Sequence, residues 1–366
     1  MRRVGRVLTG VDRVELAYLL ALQDQTEPVF GLIRSRYGYI LLDPRGVAAM
    51  TPILSGSDST DAWRRARQVA MARCVPFGLP RMLARHLLPG TAYLNTGHSN
   101  LTDRVLRAMK AGGIPVAALV HDVIPLEFPQ YQRDGTVEAF RGMIDRLAAM
   151  ADLLIYNSQD TKQRAEAQMP GTPPPAIVAH LGTNIAAPEP QELPPDLPLT
   201  APYFLTIGTI EPRKNPAFLL DLWDKMGPDA PTLLIAGSRG WRSEGVFARL
   251  DALPTNGPVR EVSGLSDGAL AALIEGAAGV LLPSFAEGFG LPAVEAAARG
   301  VPVVVNTLDV YAEFLGDIPI YASVSDRYLW IKTINTLAEA EQRTQQEHLI
   351  ELPNWDAHFK TVLRLT

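Results

Sequence analysis

A chain of 366 residues with one cysteine, 20% charged side chains and a formal net charge of −5 is long enough for two ordinary domains, and buries a core without staples. Cys74 has no intramolecular partner, which excludes a disulfide scaffold and makes a reducing compartment the expectation. No uncharged run nears the ~18 apolar residues of a membrane span, and Met1-Arg2-Arg3-Val4-Gly5-Arg6-Val7 lacks the long apolar segment of a secretion signal.

The charge is unevenly placed. Residues 1–110 carry 16 basic and 8 acidic side chains, and the rest of the chain carries 18 and 31. Such asymmetry suggests that the two parts meet different partners.

In chain order, Thr9-Gly10-Val11-Asp12-Arg13 opens a helix. Residues 60–90 interleave Arg64, Arg65, Arg67, Arg73, Arg81 and Arg85 with Trp63, Val69, Met71, Val75, Phe77, Met82 and Leu87. Two readings stand for that stretch. One is an amphipathic helix pair packed on the first domain. The other is a surface that meets anionic lipid or an anionic acceptor. Short continuous apolar runs then alternate with helical stretches: 114–120, 152–156, 203–207, 232–236, 279–282 and 301–305. Continuous rather than alternating runs predict strands buried on both faces, and the helices between them predict parallel βαβ sheets. Ala176–His180 reads as the last strand of the first part. A proline-dense stretch from Pro170 to Pro202 cannot sustain a helix or central strand. The predicted organisation is therefore a first domain over 1–185, a stiff linker over 186–201 and a second domain over 202–350. The tail reads as helical over 326–349, broken near Pro353, with a last short amphipathic helix from Trp355 to Leu365.

Four segments carry chemistry. Pro283-Ser284-Phe285-Ala286-Glu287-Gly288-Phe289-Gly290-Leu291-Pro292-Ala293-Val294-Glu295 follows an apolar strand and opens a helix. Its glycines let the backbone approach a ligand, the free N–H groups of the turn attract anions, and Glu287 and Glu295 suit hydroxyls. Glu295 is predicted in the first turn of that helix. Gly208-Thr209-Ile210-Glu211-Pro212-Arg213-Lys214-Asn215 leaves the carboxyl end of another strand, where ligands of open α/β sheets sit. Arg213 suits phosphate as a fork and Lys214 as a point charge. His121-Asp122 follows a buried strand, so both are predicted at the cleft. His98 is weighed equally between acceptor contact and loop scaffold. Asn157 and Ser158 are read as helix caps. No clustered His/Cys set and no Asp-x-Asp triad is present, so no metal is expected.

These segments together resemble a retaining glycosyltransferase of family 4, with the two-domain GT-B fold. Glu287 and Glu295 match its E-x7-E motif, Gly288–Pro292 the loop within it, and Glu211–Asn215 its diphosphate site. The resemblance implies two Rossmann-like domains facing a cleft, with residues 351–366 returning to the first. It implies donor binding through Gly10, Gly208, Arg213, Lys214, Phe289, Gly290, Leu291 and Glu295. His121 and Glu287 would hold the transferred sugar, with His98 and Asp122 as acceptor candidates. Many members have Arg where this chain has Thr209. The implied reaction moves a hexose, with retention, from a nucleotide-diphosphate sugar to a glycan or lipid-linked acceptor. The lean is to GDP-mannose, with no cofactor, no metal and no nucleic acid. The expected place is the cytoplasm, at the cytoplasmic face of the inner membrane, within surface polysaccharide or glycolipid synthesis. Two alternatives differ in product: an epimerase or hydrolase on the same fold, which needs no acceptor, and a binding subunit that turns over nothing.

Overall fold

A computed structural model describes residues 8–58, 60–183, 185–199, 202–254, 256–340 and 353–364. The apolar runs form two parallel sheets. In the first half, Tyr93–Asn95, Val116–Val120, Leu153–Tyr156 and Ala176–Val178 lie in that spatial order. In the second half the order is Val259–Val262, Thr232–Ala236, Tyr203–Ile207, Gly279–Leu282, Val303–Val305, Ile320–Tyr321. Val116–Val120, Gly279–Leu282 and Val303–Val305 are buried at every position, as strands covered on both faces require. The order of the larger sheet reverses between Tyr203–Ile207 and Gly279–Leu282. Both chemistry-bearing loops of the second half leave the carboxyl ends of those two strands, at the switch point where open α/β sheets form a crevice.

A third sheet was not anticipated. Gly31–Ser35 and Gly38–Leu42 form an antiparallel hairpin, and Ala72–Cys74 joins its far edge. Two residues, Arg36 and Tyr37, join the strands, neither at positive φ, and the left-handed position falls on the next residue, Gly38 at φ 143°, packed against the carbonyl of Cys74. So the 60–90 stretch is not a plain helix pair: a helix Ala62–Gln68, this edge strand, and a helix Leu79–His86 follow one another. Their apolar faces are consumed by packing, with Ala62, Ala66, Leu79, Met82 and Leu83 buried.

The halves share one apolar cluster. Val14, Leu119, Ile155 and Leu181 belong to the same packed set as Phe289, Val294 and Tyr311. Polar contacts reinforce it. Glu313 accepts from the backbone N–H of Gln159 (2.7 Å) and Asp160 (3.0 Å), and lies 2.8 Å from His180 Nε2. A carboxylate of the second half thus caps the helix Gln159–Ala167 of the first. Ser158 caps it from its own side, at 2.9 Å from the N–H of Thr161. Asn157 is not a cap; its side chain donates to the His121 carbonyl at 2.9 Å.

The last described helix, Trp355–Val362, crosses back to the first half. Its Trp355, His358 and Phe359 rings surround Tyr18, and a side chain at Gly182 would overlap Trp355. His358 Nδ1 reaches the carbonyls of Ala179 and His180, so it carries the proton, and Nε2 accepts from the Tyr18 hydroxyl at 2.6 Å. The helix before it ends at Glu339; the predicted helical residues 341–349 lie outside the described residues.

Burial holds the His358 pKa down at about 4. Its folded value lies below the ordinary imidazole value of about 6.5, so the unfolded chain binds the extra proton first. The stabilisation is full above about pH 6.5 and is lost as pH falls towards 4, on the order of 2–3 kcal/mol. Urea unfolding across that window is expected to show this decline, and His358→Gln to lower stability at neutral pH and flatten the slope.

Candidate functional site

The site is built where the two loops of the second half meet. Gly208 takes φ 134°, and a Cβ there would press on the Lys214 side chain. Gly237 sits so close beneath that a Cβ would overlap the Gly208 carbonyl. These glycines let the turn fold back beneath Lys214. Asn215 adopts the left-handed region at φ 56° and donates to the Pro283 carbonyl at 3.3 Å. The Phe285 N–H donates to the Arg213 carbonyl at 2.9 Å. The two loops are thereby knitted by backbone before any charge is counted.

Glu287 is the electrostatic centre. It is 6% exposed. Lys214 Nζ donates to Oε1 at 2.6 Å, and Arg213 Nη1 to Oε2 at 2.9 Å. Arg213 also donates to the Ala286 carbonyl (2.7 Å) and, through Nη2, to the buried Glu211 (2.6 Å). Burial by itself would raise the Glu287 pKa, but Lys214 and Arg213 overcome it and hold the carboxyl at about 2. Guanidinium has five N–H donors and ammonium three. The contacts of Arg213 and Lys214 among the described residues leave donors of both for an anion.

Across the cleft stands the end of Val116–Val120. The His121 carbonyl lies where a Cβ on Gly288 would be 2.6 Å away, and Asp122 Cβ at 3.0 Å. His121 Nε2 bonds the Thr96 carbonyl at 2.6 Å, which places its proton on Nε2 and leaves Nδ1 as an acceptor. Burial keeps its pKa low, so the ring is neutral. Asp122 is raised by burial, against the pull of Arg213 and His121. His98 stands behind this pair rather than on the cleft wall. Its Nε2 accepts from the His121 N–H at 3.3 Å, its ring lies 5.1 Å from that of His121, and burial followed by the neighbouring imidazole holds its pKa at about 3.

Gly10 opens the helix Gly10–Gln23, with Thr9 and Asp12 forming a capping box. It faces Leu291, which a Cβ at Gly10 would meet at 3.7 Å. Phe289 is packed on Phe314, with ring centres 4.1 Å apart. Gly290 takes φ 84° and lies against Tyr311. Glu295 is 9% exposed and sits past the first turn of the helix Leu291–Ala297, one residue deeper than expected. Burial raises its pKa against the opposing effect of Arg13. Every site residue expected from the sequence except His98 lines one cleft of about 850 Å³ between the halves.

Sequence reasoning missed several of its neighbours. Arg13 crosses from the first half to Glu295 (2.8 Å) and Asp267 (2.5 Å). Trp241 Nε1 donates to the Tyr131 carbonyl at 2.8 Å, and Tyr131 stacks on Phe285 with centres 5.6 Å apart. Asn306 braces the Ser284 carbonyl at 2.9 Å. Glu211 lies two residues before Arg213, close enough in sequence for the pairing to be legible; the others are long-range pairs with no local signal. Among the described residues no group of three His, Cys, Asp or Glu could hold a metal ion.

Comparison with known proteins gives three findings. The family model for glycosyl transferases group 1 matches residues 191–327, the part that carries Arg213, Lys214, Glu287 and Glu295. The serotype-specific mannosyltransferase WbdA of Escherichia coli is 30% identical over 243 residues, 61% of this chain and 28% of its own length. The chain thus spans about a quarter of the length of the curated relatives it first matches. Among solved structures, Anabaena HepE in complex with UDP and glucose superposes with a TM-score of 0.60 at 19% identity over 74% of this chain and 73% of that one. The trehalose-6-phosphate synthase OtsA does so at 0.57 and 13% identity, over 93% and 89%. The fold is GT-B, an α/β architecture with parallel sheets facing a cleft.

Closure of the cleft requires the bare Cα of Gly288 beneath His121. Gly288→Ala is expected to lose about 1–3 kcal/mol in thermal unfolding. Gly245→Ala, in a helix with open space around it, is expected to be neutral or stabilising in the same assay.

Proposed function

We propose that the protein is a retaining glycosyltransferase that moves a hexose from a nucleotide-diphosphate sugar to a glycan or lipid-linked acceptor in surface polysaccharide synthesis. The observation that carries this reading is the buried Glu287 bonded by both Lys214 and Arg213, at a sheet switch point directly opposite His121 and Asp122. The uncommitted donors of Arg213 and Lys214 take the diphosphate and offset the charge that grows on it as the glycosidic bond breaks. Glu287 accepts hydroxyl hydrogen bonds from the sugar. Glu295 accepts those of the ribose, and Gly10, Gly208, Phe289, Gly290 and Leu291 bring backbone close to donor. His121, neutral, positions rather than protonates. The acceptor hydroxyl attacks the face from which the diphosphate leaves, and a phosphate oxygen takes its proton, so positioning and charge supply the rate. This route needs no metal and no cofactor. Asp122 borders the acceptor side; His98 supports His121.

The mannosyltransferase name of the relatives supports GDP-mannose as donor, whereas HepE was solved with UDP and glucose. A thermal-shift screen with GDP-, UDP- and dTDP-sugars is expected to give its largest stabilisation with GDP-mannose. Lys214→Ala and Glu287→Ala are each expected to lower transfer at least 100-fold, the scale of one oxyanion-type donor. Product anomeric configuration, read by NMR, is expected to match the donor. Wild-type turnover by both variants, or turnover without acceptor, overturns the reading.

Membrane association is part of the same proposal. No helix among the described residues is long and apolar enough to cross a membrane. The buried helix faces of residues 62–86 cannot insert, but three side chains at the third sheet can: Phe77, Tyr37 and Val75, 86%, 73% and 66% exposed. Arg104 lies 4.9 Å over the Phe77 ring and Arg36 5.9 Å over Tyr37, the pairing of apolar wedge and cation that suits anionic lipid at the cytoplasmic face. Sedimentation with phosphatidylglycerol-containing vesicles is expected to retain the wild type. Phe77→Ala combined with Val75→Ala should release it, and neutral vesicles should not bind. Equal binding to neutral vesicles sinks the idea.

A further inference from the structure

Among the described residues, Arg13 is the one cation of the first half that bonds Glu295, at the expected ribose site. It stands at the end of the first turn of the helix Gly10–Gln23 and forks: Nη1 to Glu295 Oε1 at 2.8 Å, Nη2 to Asp267 Oδ1 at 2.5 Å. It lines both the main cleft and an adjoining cavity of about 380 Å³ bounded by Leu16, Leu270 and Arg299. A nucleoside arriving at Glu295 meets this guanidinium already in place. Two outcomes can be compared. If ribose displaced Arg13, a carboxylate only 9% exposed would exchange a full positive charge for neutral hydroxyls. Leaving a buried charge without its ionic partner is strongly unfavourable. If Arg13 stays, Oε2 remains open, and a carboxylate with about four lone-pair sites accepts from the diol as well. The charged groups facing Glu295 are Arg13 from the first half, Asp267 from the helix Asp267–Gly276, and Arg299 just beyond its own helix. Asp267 opposes ionisation, and of the two cations only Arg13 bonds the carboxylate.

We propose that Arg13 is a positioning residue for nucleotide binding: it remains on Glu295 in the complex, keeps that carboxylate ionised and aims its second oxygen at the ribose hydroxyls. The inference rests on the donor role assigned to Glu295 above. It adds that the nucleotide site is completed by a side chain from the other half, so that binding nucleotide and holding the cleft closed draw on one contact.

Isothermal titration of the wild type, Arg13→Gln and Arg13→Lys with GDP, UDP and inorganic pyrophosphate tests it. Arg13→Gln is expected to bind the preferred nucleoside diphosphate about tenfold more weakly near pH 8, the scale of one charge-assisted hydrogen bond. The ratio of wild-type to variant affinity should widen as pH falls to roughly 5.5, because Glu295 without its cation takes up a proton above the ordinary carboxylate range. Pyrophosphate, which meets Arg213 and Lys214 alone, should bind the variant as it binds the wild type. Arg13→Lys keeps the charge and should restore the wild-type pH profile. The proposal is overturned if Arg13→Gln keeps wild-type nucleotide affinity, or if it loses pyrophosphate equally, which marks general damage. Failure of Arg13→Lys to restore the profile also overturns it, and that arm stands even if the Gln variant does not fold. A wild type that binds neither nucleotide overturns the donor reading itself, and this inference with it; wild-type binding with an indifferent Arg13→Gln overturns only the inference.

Discussion

A carboxylate removed from water must be paired, and Glu287 is paired twice over. Lys214 takes one oxygen and Arg213 the other, while Arg213 is itself held by Glu211 and the Ala286 carbonyl. Taking such a cluster out of water costs several kcal/mol per ion, repaid only when the geometry is good and the remaining hydrogens find acceptors. That requirement explains the surrounding backbone. The left-handed Asn215, the Gly208–Gly237 approach and the Phe285–Arg213 backbone bond bring two separate loops into register around a single anion. The same requirement fixes the Glu287 carboxylate through partners from both loops, with no ligand needed to complete the pairing.

The cluster belongs to one half, but its working surface belongs to both. Gly288 fits under the His121 carbonyl only because it lacks a side chain. Thr161 donates to the Gly288 carbonyl at 3.3 Å from the same side. Tyr131 and Trp241 close the opposite rim. The apolar cluster running from Val14 and Leu119 to Phe289 and Val294 lies beneath these contacts. Cleft geometry is thus set by packing between halves as much as by the loops that carry the charges.

Much of this was legible in the sequence. Continuous apolar runs gave the parallel strands because burial on both faces leaves no room for alternation. The loops of Arg213 and Glu287 were legible because a strand end, glycines and charged residues stand together within a dozen positions. Arg13 was not, since its partners Glu295 and Asp267 lie more than 250 residues away and nothing local marks the pairing. The hairpin at residues 31–42 was missed for a different reason. Gly38–Leu42 is buried at every position and carries a continuous apolar run, but its partner Gly31–Ser35 is only partly buried and the third strand, Ala72–Cys74, is three residues long, so no neighbouring run marks a sheet. Asn157 looked like a cap from its place before a helix; tertiary contact with His121 decided otherwise. The charge excess of the first 110 residues was legible, whereas burial of the helix faces over residues 62–86, with Tyr37, Val75 and Phe77 left exposed, came only with the fold.

The carboxylate of Glu313 has a consequence for modularity. It satisfies the first free N–H groups of a helix that belongs to the other half, and it meets His180 just ahead of the linker. Each half therefore carries part of the other's secondary structure. Each half contributes its own parallel sheet, yet neither is self-contained. Here a chimera joined within the linker would graft a helix whose cap was left behind on the discarded half. An exchange that respects this fold must move Glu313 with the Gln159 helix, as one inherited pair.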